Sequence, residues 1–481
     1  MSELRTRAVL GIVWSSVHRF GSMIISFLGN IVLTRLLSPE DFGVIGMMMV
    51  FIAICNTLID GGLASALIQK DQVDDIDYST VFSWNLAISV FFYITLFFTA
   101  DSISAFYNIN QLNDILKVLG LVLLINSLYL VQVNQLMRQL NFKLLALINI
   151  AGNLSGVIIS IFLAYLGWGV WSLVVKNLTT SVVIAIFCFT LGSWKPSFGF
   201  SIKSFKELFG FGSFVLLANL AETIYVNIQA LIIGKVFSAD QLGYYTQAKK
   251  LEEVPTKGLA AVVNQVSFPV FSRLQNDLSK VREGLRNNIK AITFINFPLM
   301  FWLIIIAKPL IILLFTERWI DSVPFFQIFC VWGMLYALNT LNTNIVKSLG
   351  MGSLYFTIQV GKRVVGLVII FFGLRFGIMG LMWGVASAAY LSFFVNAFIL
   401  GKLIGYGIIC QIRDVFGSLT CSIIVGILVY FFTPFLHTST IIIDITLISI
   451  AYLALYIGIS YLTKSSGLNI YLNVFKRLFR R

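Results

Sequence analysis

Long apolar runs separated by short polar breaks fill the chain from end to end. A helix that crosses the hydrocarbon core needs about 20 mostly apolar residues, and about fourteen segments qualify. They lie near residues 9–36, 42–68, 79–100, 113–136, 144–166, 169–192, 208–234, 241–272, 291–315, 322–346, 354–374, 378–401, 412–436 and 440–462. The two longest connections, Ser193–Glu207 and Arg273–Lys290, are too short for a folded domain. The pattern predicts an all-α polytopic membrane protein whose function lies within the membrane or at its faces. Met1–Arg7 is basic, but the run after it has spanning length and no clear cleavage site, so it reads as the first span.

One break recurs. Leu33–Ile45, LTRLLSPEDFGVI, returns two hundred positions later as Ile233–Tyr245, IGKVFSADQLGYY. A basic residue (Arg35, Lys235), a serine (Ser38, Ser238), an acid (Glu40, Asp240), a large apolar residue (Phe42, Leu242) and a glycine (Gly43, Gly243) keep their places. Asn134–Arg138 at the end of span 4 resembles Thr343–Lys347 at the end of span 10, and Leu166–Val170 before span 6 resembles Phe376–Gly380 before span 12. Spans 1–6 and 7–12 therefore read as two copies of like orientation, related by an axis along the membrane normal. The expected architecture is two pseudo-symmetric six-helix lobes around a central cavity, at 1–200 and 201–405. Two further spans follow at 406–464, and a basic amphipathic tail at 465–481.

Composition narrows the class. Of 481 residues 58% are hydrophobic and 11% charged, against about 25% charged in soluble domains. The net charge of +13 invites a nucleic-acid reading, but the cations sit at helix ends on one side, which excludes it. With the N-terminus inside, cytoplasmic loops receive 21 Lys and Arg and outer loops 6. That bias places both termini in the cytoplasm. Cys55, Cys188, Cys330, Cys410 and Cys421 lie in apolar runs without a CxxC, as fillers rather than ligands. His18 and His437 are too few for a metal site. The tail Leu468–Arg481 reads as a short basic amphipathic helix, its aromatics and leucines facing lipid and its four cations meeting anionic headgroups in the manner of a membrane-surface anchor.

Seven cations fall inside apolar runs: Arg19, Lys176, Lys249, Lys250, Lys257, Lys362 and Arg363. Charge at membrane depth is costly unless it faces a polar interior. In span 8, Thr246, Lys249, Lys250, Glu253, Lys257, Asn264 and Ser267 fall on one helical face. The spacing of Lys249, Glu253 and Lys257 lets the acid bridge two ammonium groups. Pro255 predicts a kink. Such a stripe lines water or binds an anion; alternatively, residues 244–257 extend into the aqueous face. Span 1 carries Gly11, Ser15, His18, Arg19, Ser22, Ser26, Gly29 and Asn30 on one side, the small residues among them also suiting close helix packing, and span 7 carries Asn219, Glu222, Thr223 and Asn227. Span 11 groups Tyr355, Gln359, Lys362 and Arg363. Asp60, before Gly61-Gly62, reads equally as a helix-end residue or an ion site. More cations than acids point to an anionic cargo, most simply one bearing phosphate.

The stretch Leu33–Gly43, the Asp60-Gly61-Gly62-Leu63 turn, Ser267-Phe268-Pro269, Leu314-Phe315-Thr316-Glu317-Arg318-Trp319 and the Phe376–Gly380 entry resemble the polysaccharide transporter family of the multidrug/oligosaccharidyl-lipid/polysaccharide exporter superfamily. The likeness runs over nearly the whole chain, toward its lipopolysaccharide and colanic-acid flippases. Thr316 departs from the small residue usual there. The resemblance implies two lobes around a V-shaped cavity and a cargo of oligosaccharide on polyprenyl pyrophosphate. That cargo would move to the outer leaflet of a bacterial inner membrane. It also implies that Arg19, Lys249, Lys250, Lys257, Lys362 and Arg363 hold the pyrophosphate, with Lys176 a weaker candidate. Asp60, Glu222 and Glu253 are candidates for coupling, the coupling ion (H+ or Na+) being open. No other cofactor and no metal is expected. Expected partners are the lipid-linked oligosaccharide, membrane lipids and other polysaccharide-assembly proteins. Two other readings are a cation-coupled multidrug exporter of the same superfamily, which would need an acidic cavity, and a membrane-embedded glycan polymerase or ligase, which would need large outer loops.

Overall fold

The computed structural model describes the backbone of residues 2–192, 194–433 and 440–479. Ser193, His437, Arg480 and Arg481 lie outside the described residues. Among the described residues the chain is helical, without strands. In order the helices are α1 (Ser2–Leu36), α2 (Pro39–Asp60), α3 (Leu63–Gln69), α4 (Asp75–Tyr107), α5 (Gln111–Leu119), α6 (Leu121–Arg138), α7 (Phe142–Tyr165), α8 (Val170–Leu191) and α9 (Ile202–Val236). Then come α10 (Ala239–Leu274), α11 (Leu278–Ile305), α12 (Ala307–Phe315), a 3₁₀ turn at Glu317–Ser322, α13 (Val323–Ser348), α14 (Gly352–Leu374), α15 (Gly377–Ile404), α16 (Ile408–Phe432), α17 (Ile441–Leu462) and α18 (Ser466–Phe479).

Each predicted span meets helix. Among the described residues thirteen stretches are long and apolar enough to cross a membrane. The expected fourteenth rests on α10, whose 36 residues give ample length at about 1.5 Å each but whose charged stripe breaks its apolar run. Two connections are shorter than expected: Leu278–Lys290 is the first part of α11, capped by the Asp277 side chain on the Lys280 N–H, and Ile202–Glu207 opens α9.

Local chemistry sets the breaks. Ser38 and Asp41 form a reciprocal capping box, with Pro39 at the first helical position of α2. In the second copy Ser238 Oγ accepts the Gln241 N–H at 3.2 Å. Between α2 and α3 the backbone turns through Gly61 and Gly62, at φ of 59° and 72°, a region cheap only for glycine.

The chain divides into two compact units, Met1–Thr246 and Gln247–Arg481. This division follows packing, whereas the lobes at 1–200 and 201–405 were drawn from the repeat. In the first unit α7 packs on α1 and α8, and α9 packs on α2, α3 and α4. A Cβ at Gly62 would strike the Gly212 carbonyl, so α3 and α9 meet backbone to backbone. The two copies of the break also meet. A Cβ at Gly43 would strike the Ala239 carbonyl oxygen, and one at Gly243 the Pro39 carbonyl oxygen. Since 39 pairs with 239 and 43 with 243 in the repeat, the contact is reciprocal, like an isologous interface.

In the second unit α11 packs on α13 and α16, and α14 crosses α15 where Gly373 and Gly380 each face the other's carbonyl. The basic tail helix α18 lies along α11: Gly467 meets Phe294, and the Tyr471 hydroxyl donates to the Ala291 carbonyl at 3.1 Å.

Candidate functional site

Within α10 the structure bears out one pairing expected from spacing. Lys257 Nζ lies 2.7 Å from Glu253 Oε2, with the side chains 57% and 27% exposed. So open a pair adds little to stability, and its residues are available to a ligand. Lys250 is exposed and Lys249 half-buried. The face thus presents Lys249, Lys250 and Lys257 against the single acid Glu253.

On α14, Lys362 and Arg363 are half-buried. Lys362 Nζ donates to Asn396 Oδ1 at 3.0 Å, and Asn396 Nδ2 in turn donates to Asn339 Oδ1 at 3.0 Å. The chain ties α14 to α15 and α13 and fixes where the ammonium sits. In the first unit Arg19 on α1 and Glu222 on α9 are exposed, and Lys176 on α8 is half-buried. Thr223, one residue beyond Glu222, shares a hydrogen bond with Thr57 of α2 at 3.0 Å.

Asp60 is the last residue of α2, just ahead of the Gly61-Gly62 turn that leads into α3. An acid just ahead of a helix start favours the positive end of that helix's dipole. Its Oδ1 is buried and lacks a hydrogen-bond partner among the described residues.

Three features escaped the sequence reading. Glu252, next to Glu253, is fully buried. Lys70 Nζ bridges Asp77 at 3.0 Å and Glu207 at 3.2 Å, and Ser204 donates to Asp77. Arg286 holds Asp414 in a fork at 2.8 and 3.1 Å, joined by Lys290 at 3.2 Å and the Tyr406 hydroxyl at 2.9 Å. The last two sets join distant helices and clamp their ends. Among the described residues no group of three or more His, Cys, Asp or Glu is placed to hold a metal ion.

A bundle of membrane-length helices carrying a cationic stripe defines a multi-pass α-helical membrane protein. Residues 32–324, more than half the chain, match the family described as "Polysaccharide biosynthesis protein", and the chain belongs to that family. It is 23% identical over 436 residues to the teichuronic acid biosynthesis protein TuaB of Bacillus subtilis (strain 168), covering 89% of this chain and 90% of that one. To the lipopolysaccharide biosynthesis protein WzxC of Escherichia coli (strain K12) it is 23% identical, covering 83% and 82%. To the succinoglycan biosynthesis transport protein ExoT of Rhizobium meliloti (strain 1021) it is 24% identical, covering 71% and 69%. Among solved structures, the lipid II flippase MurJ in an inward closed conformation superposes with a TM-score of 0.76 at 16% identity, covering 93% of this chain and 99% of that one. A multidrug resistance MATE family transporter in an inward-facing conformation gives 0.61 at 17% identity, covering 82% and 98%. At these identities the two structures speak to the fold alone.

Proposed function

We propose that this chain is a transporter, not an enzyme. In this reading it flips an oligosaccharide linked to polyprenyl pyrophosphate from the cytoplasmic to the outer leaflet of a bacterial inner membrane, with both termini in the cytoplasm. The observation that carries the reading is the face of α10, where Lys249, Lys250 and Lys257 oppose one acid on a helix flanked by apolar ones. A cluster of ammonium groups at membrane depth attracts a pyrophosphate without demanding a rigid geometry. The polyprenyl tail stays in lipid while head and sugars cross on a polar path. The names of TuaB, WzxC and ExoT, all polysaccharide biosynthesis proteins, support the same cargo class. Alternating access would complete the cycle. Lys362 and Arg363 on α14 and Arg19 on α1 are the further pyrophosphate candidates. A cation-coupled drug exporter shares the fold, but the excess of lysine on α10 repels cationic drugs.

The test is flipping of a defined lipid-linked oligosaccharide by the purified chain in vesicles. Lys249→Ala, Lys250→Ala and Lys257→Ala should each lower flux without blocking insertion, by roughly ten-fold where a desolvated charge pair worth about 1.4 kcal/mol is lost. Lys→Arg should retain more flux than Lys→Gln. Wild-type flux in all three alanine variants would remove α10 from the cargo path.

A further inference from the structure

Neighbouring residues on a helix point 100° apart, and on α10 that angle separates two glutamates into opposite surroundings. Glu253 is 27% exposed and paired with Lys257. Glu252 is 0% exposed. Its Oε1 accepts the Thr256 hydroxyl, and its Oε2 is buried with no hydrogen-bond partner among the described residues. The facing element is α13. A Cβ at Gly333 would overlap Glu252 Oε1 and lie 2.8 Å from Thr256 Oγ1, so the missing side chain there is the space the carboxyl fills. Asn296 of α11 reaches the same turn of α13, donating to the Gly333 and Met334 carbonyls at 3.2 and 2.8 Å, and its own Oδ1 is buried without a partner among the described residues.

Among the described residues the charged and titratable groups around Glu252 are Glu253, Lys249 and Lys257 on α10 and Cys330 on α13. Lys257 is turned to Glu253 and stays 57% exposed. Cys330 is fully buried. An ionised carboxylate sealed in this way, with one oxygen unmatched, carries a penalty of several kcal/mol. A neutral carboxylic acid avoids most of it, since it carries no net charge into the sealed, apolar surroundings. A metal-type cation fits poorly, because Gly333 packs against Oε1 and Thr256 already occupies it.

We propose that Glu252 is a proton-binding site, and that its proton is what allows α10 to pack on α13 at Gly333. A motion that parts α10 from α13 wets the carboxyl and releases the proton; reprotonation restores the packing. One face of α10 then presents cations and the other stores a proton, so helix position and proton occupancy are linked. The inference rests on burial and packing, whatever cargo the cationic face takes.

The experiment is infrared spectroscopy of the full chain in phospholipid vesicles, following the carbonyl stretch of protonated carboxylic acids near neutral pH. A band present in wild type and in Glu253→Gln, and lost in Glu252→Gln, is the expected result. Glutamine is a neutral isostere, so Glu252→Gln should also insert and unfold at the wild-type temperature. A band that survives Glu252→Gln, or no band in wild type, overturns the proposal. So does a Glu252→Gln chain that fails to fold. A rise in thermal stability with Na+ that Glu252→Gln abolishes would overturn it too, by making the site a metal-ion site. None of these readouts uses cargo, so their failure leaves the flippase reading standing, and failed flipping by the lysine variants leaves Glu252 untouched.

Discussion

Gly43 faces the Ala239 carbonyl and Gly243 faces the Pro39 carbonyl. The two copies of the break are alike at this point, and a few residues earlier they differ. Ser38 shares a reciprocal capping box with Asp41 ahead of Pro39, while Ser238 caps the N–H of Gln241 ahead of Ala239. They differ again at the end of the third span of each repeat. There α4 ends at Tyr107 and turns through Asn108 at φ 58°, while α12 ends at Phe315 and turns through Thr316 at φ 96°. A reciprocal contact constrains both copies together, because either methyl would wedge the same pair of helix ends apart. A cap or turn is satisfied within its own copy, so it drifts without consequence for the other.

The largest effect belongs to the shared contact. Gly43→Ala and Gly243→Ala should each destabilise by about 3 kcal/mol or more, the upper end of overpacking costs, because the obstacle is backbone. The double variant should lose clearly less than the sum, since one separation of the helices accommodates both methyls. Thermal unfolding in detergent measures all three. A tolerated Gly243→Ala beside a damaging Gly43→Ala would show that the contact is not reciprocal.

A gain of about 1–2 kcal/mol is expected for Thr316→Gly, because a β-branched residue at that φ is strained and glycine is not. Asn108→Gly should change little, since asparagine tolerates the left-handed region. Equal responses in the same melting assay would erase the difference between the turns. The resemblance had implied a small residue at 316, and the backbone angle supplies the reason.

Smallest is the contrast between caps. Ser38→Ala should cost about 1 kcal/mol and Ser238→Ala a few tenths less, because the first breaks a two-way box and the second a one-way cap. Hydrogen exchange of the Asp41 and Gln241 amides resolves the two sites, and faster exchange at Gln241 than at Asp41 in wild type would show the same order.

Much of the fold was legible in the sequence because its causes are local. A run of apolar residues long enough to cross a bilayer must close its own hydrogen bonds, and only a helix does so within one segment. Ser38, Pro39, Gly61 and Gly62 mark breaks by their own backbone preferences. The stripe on α10 was legible for the same reason, as was the Glu253–Lys257 pair one turn apart. Two partners were not. Lys362 finds Asn396 from α15, and Asp414 finds Arg286 from α11, pairings that depend on which helices pack together.

The sequence by itself determined an α-helical membrane chain, its breaks, its repeat and the surplus of cations on one face of α10, since each follows from helical period, bilayer thickness or a residue's own conformational preference. Only the tertiary structure decided why Gly43 and Gly243 stay glycine and which of two adjacent acids is sealed. Position on the helix shows that Glu252 and Glu253 point apart. That one meets Lys257 and the other Gly333 depends on α13, 81 positions beyond Glu252. Burial is a property of the neighbours a residue acquires on packing, and the period of its own helix does not carry it.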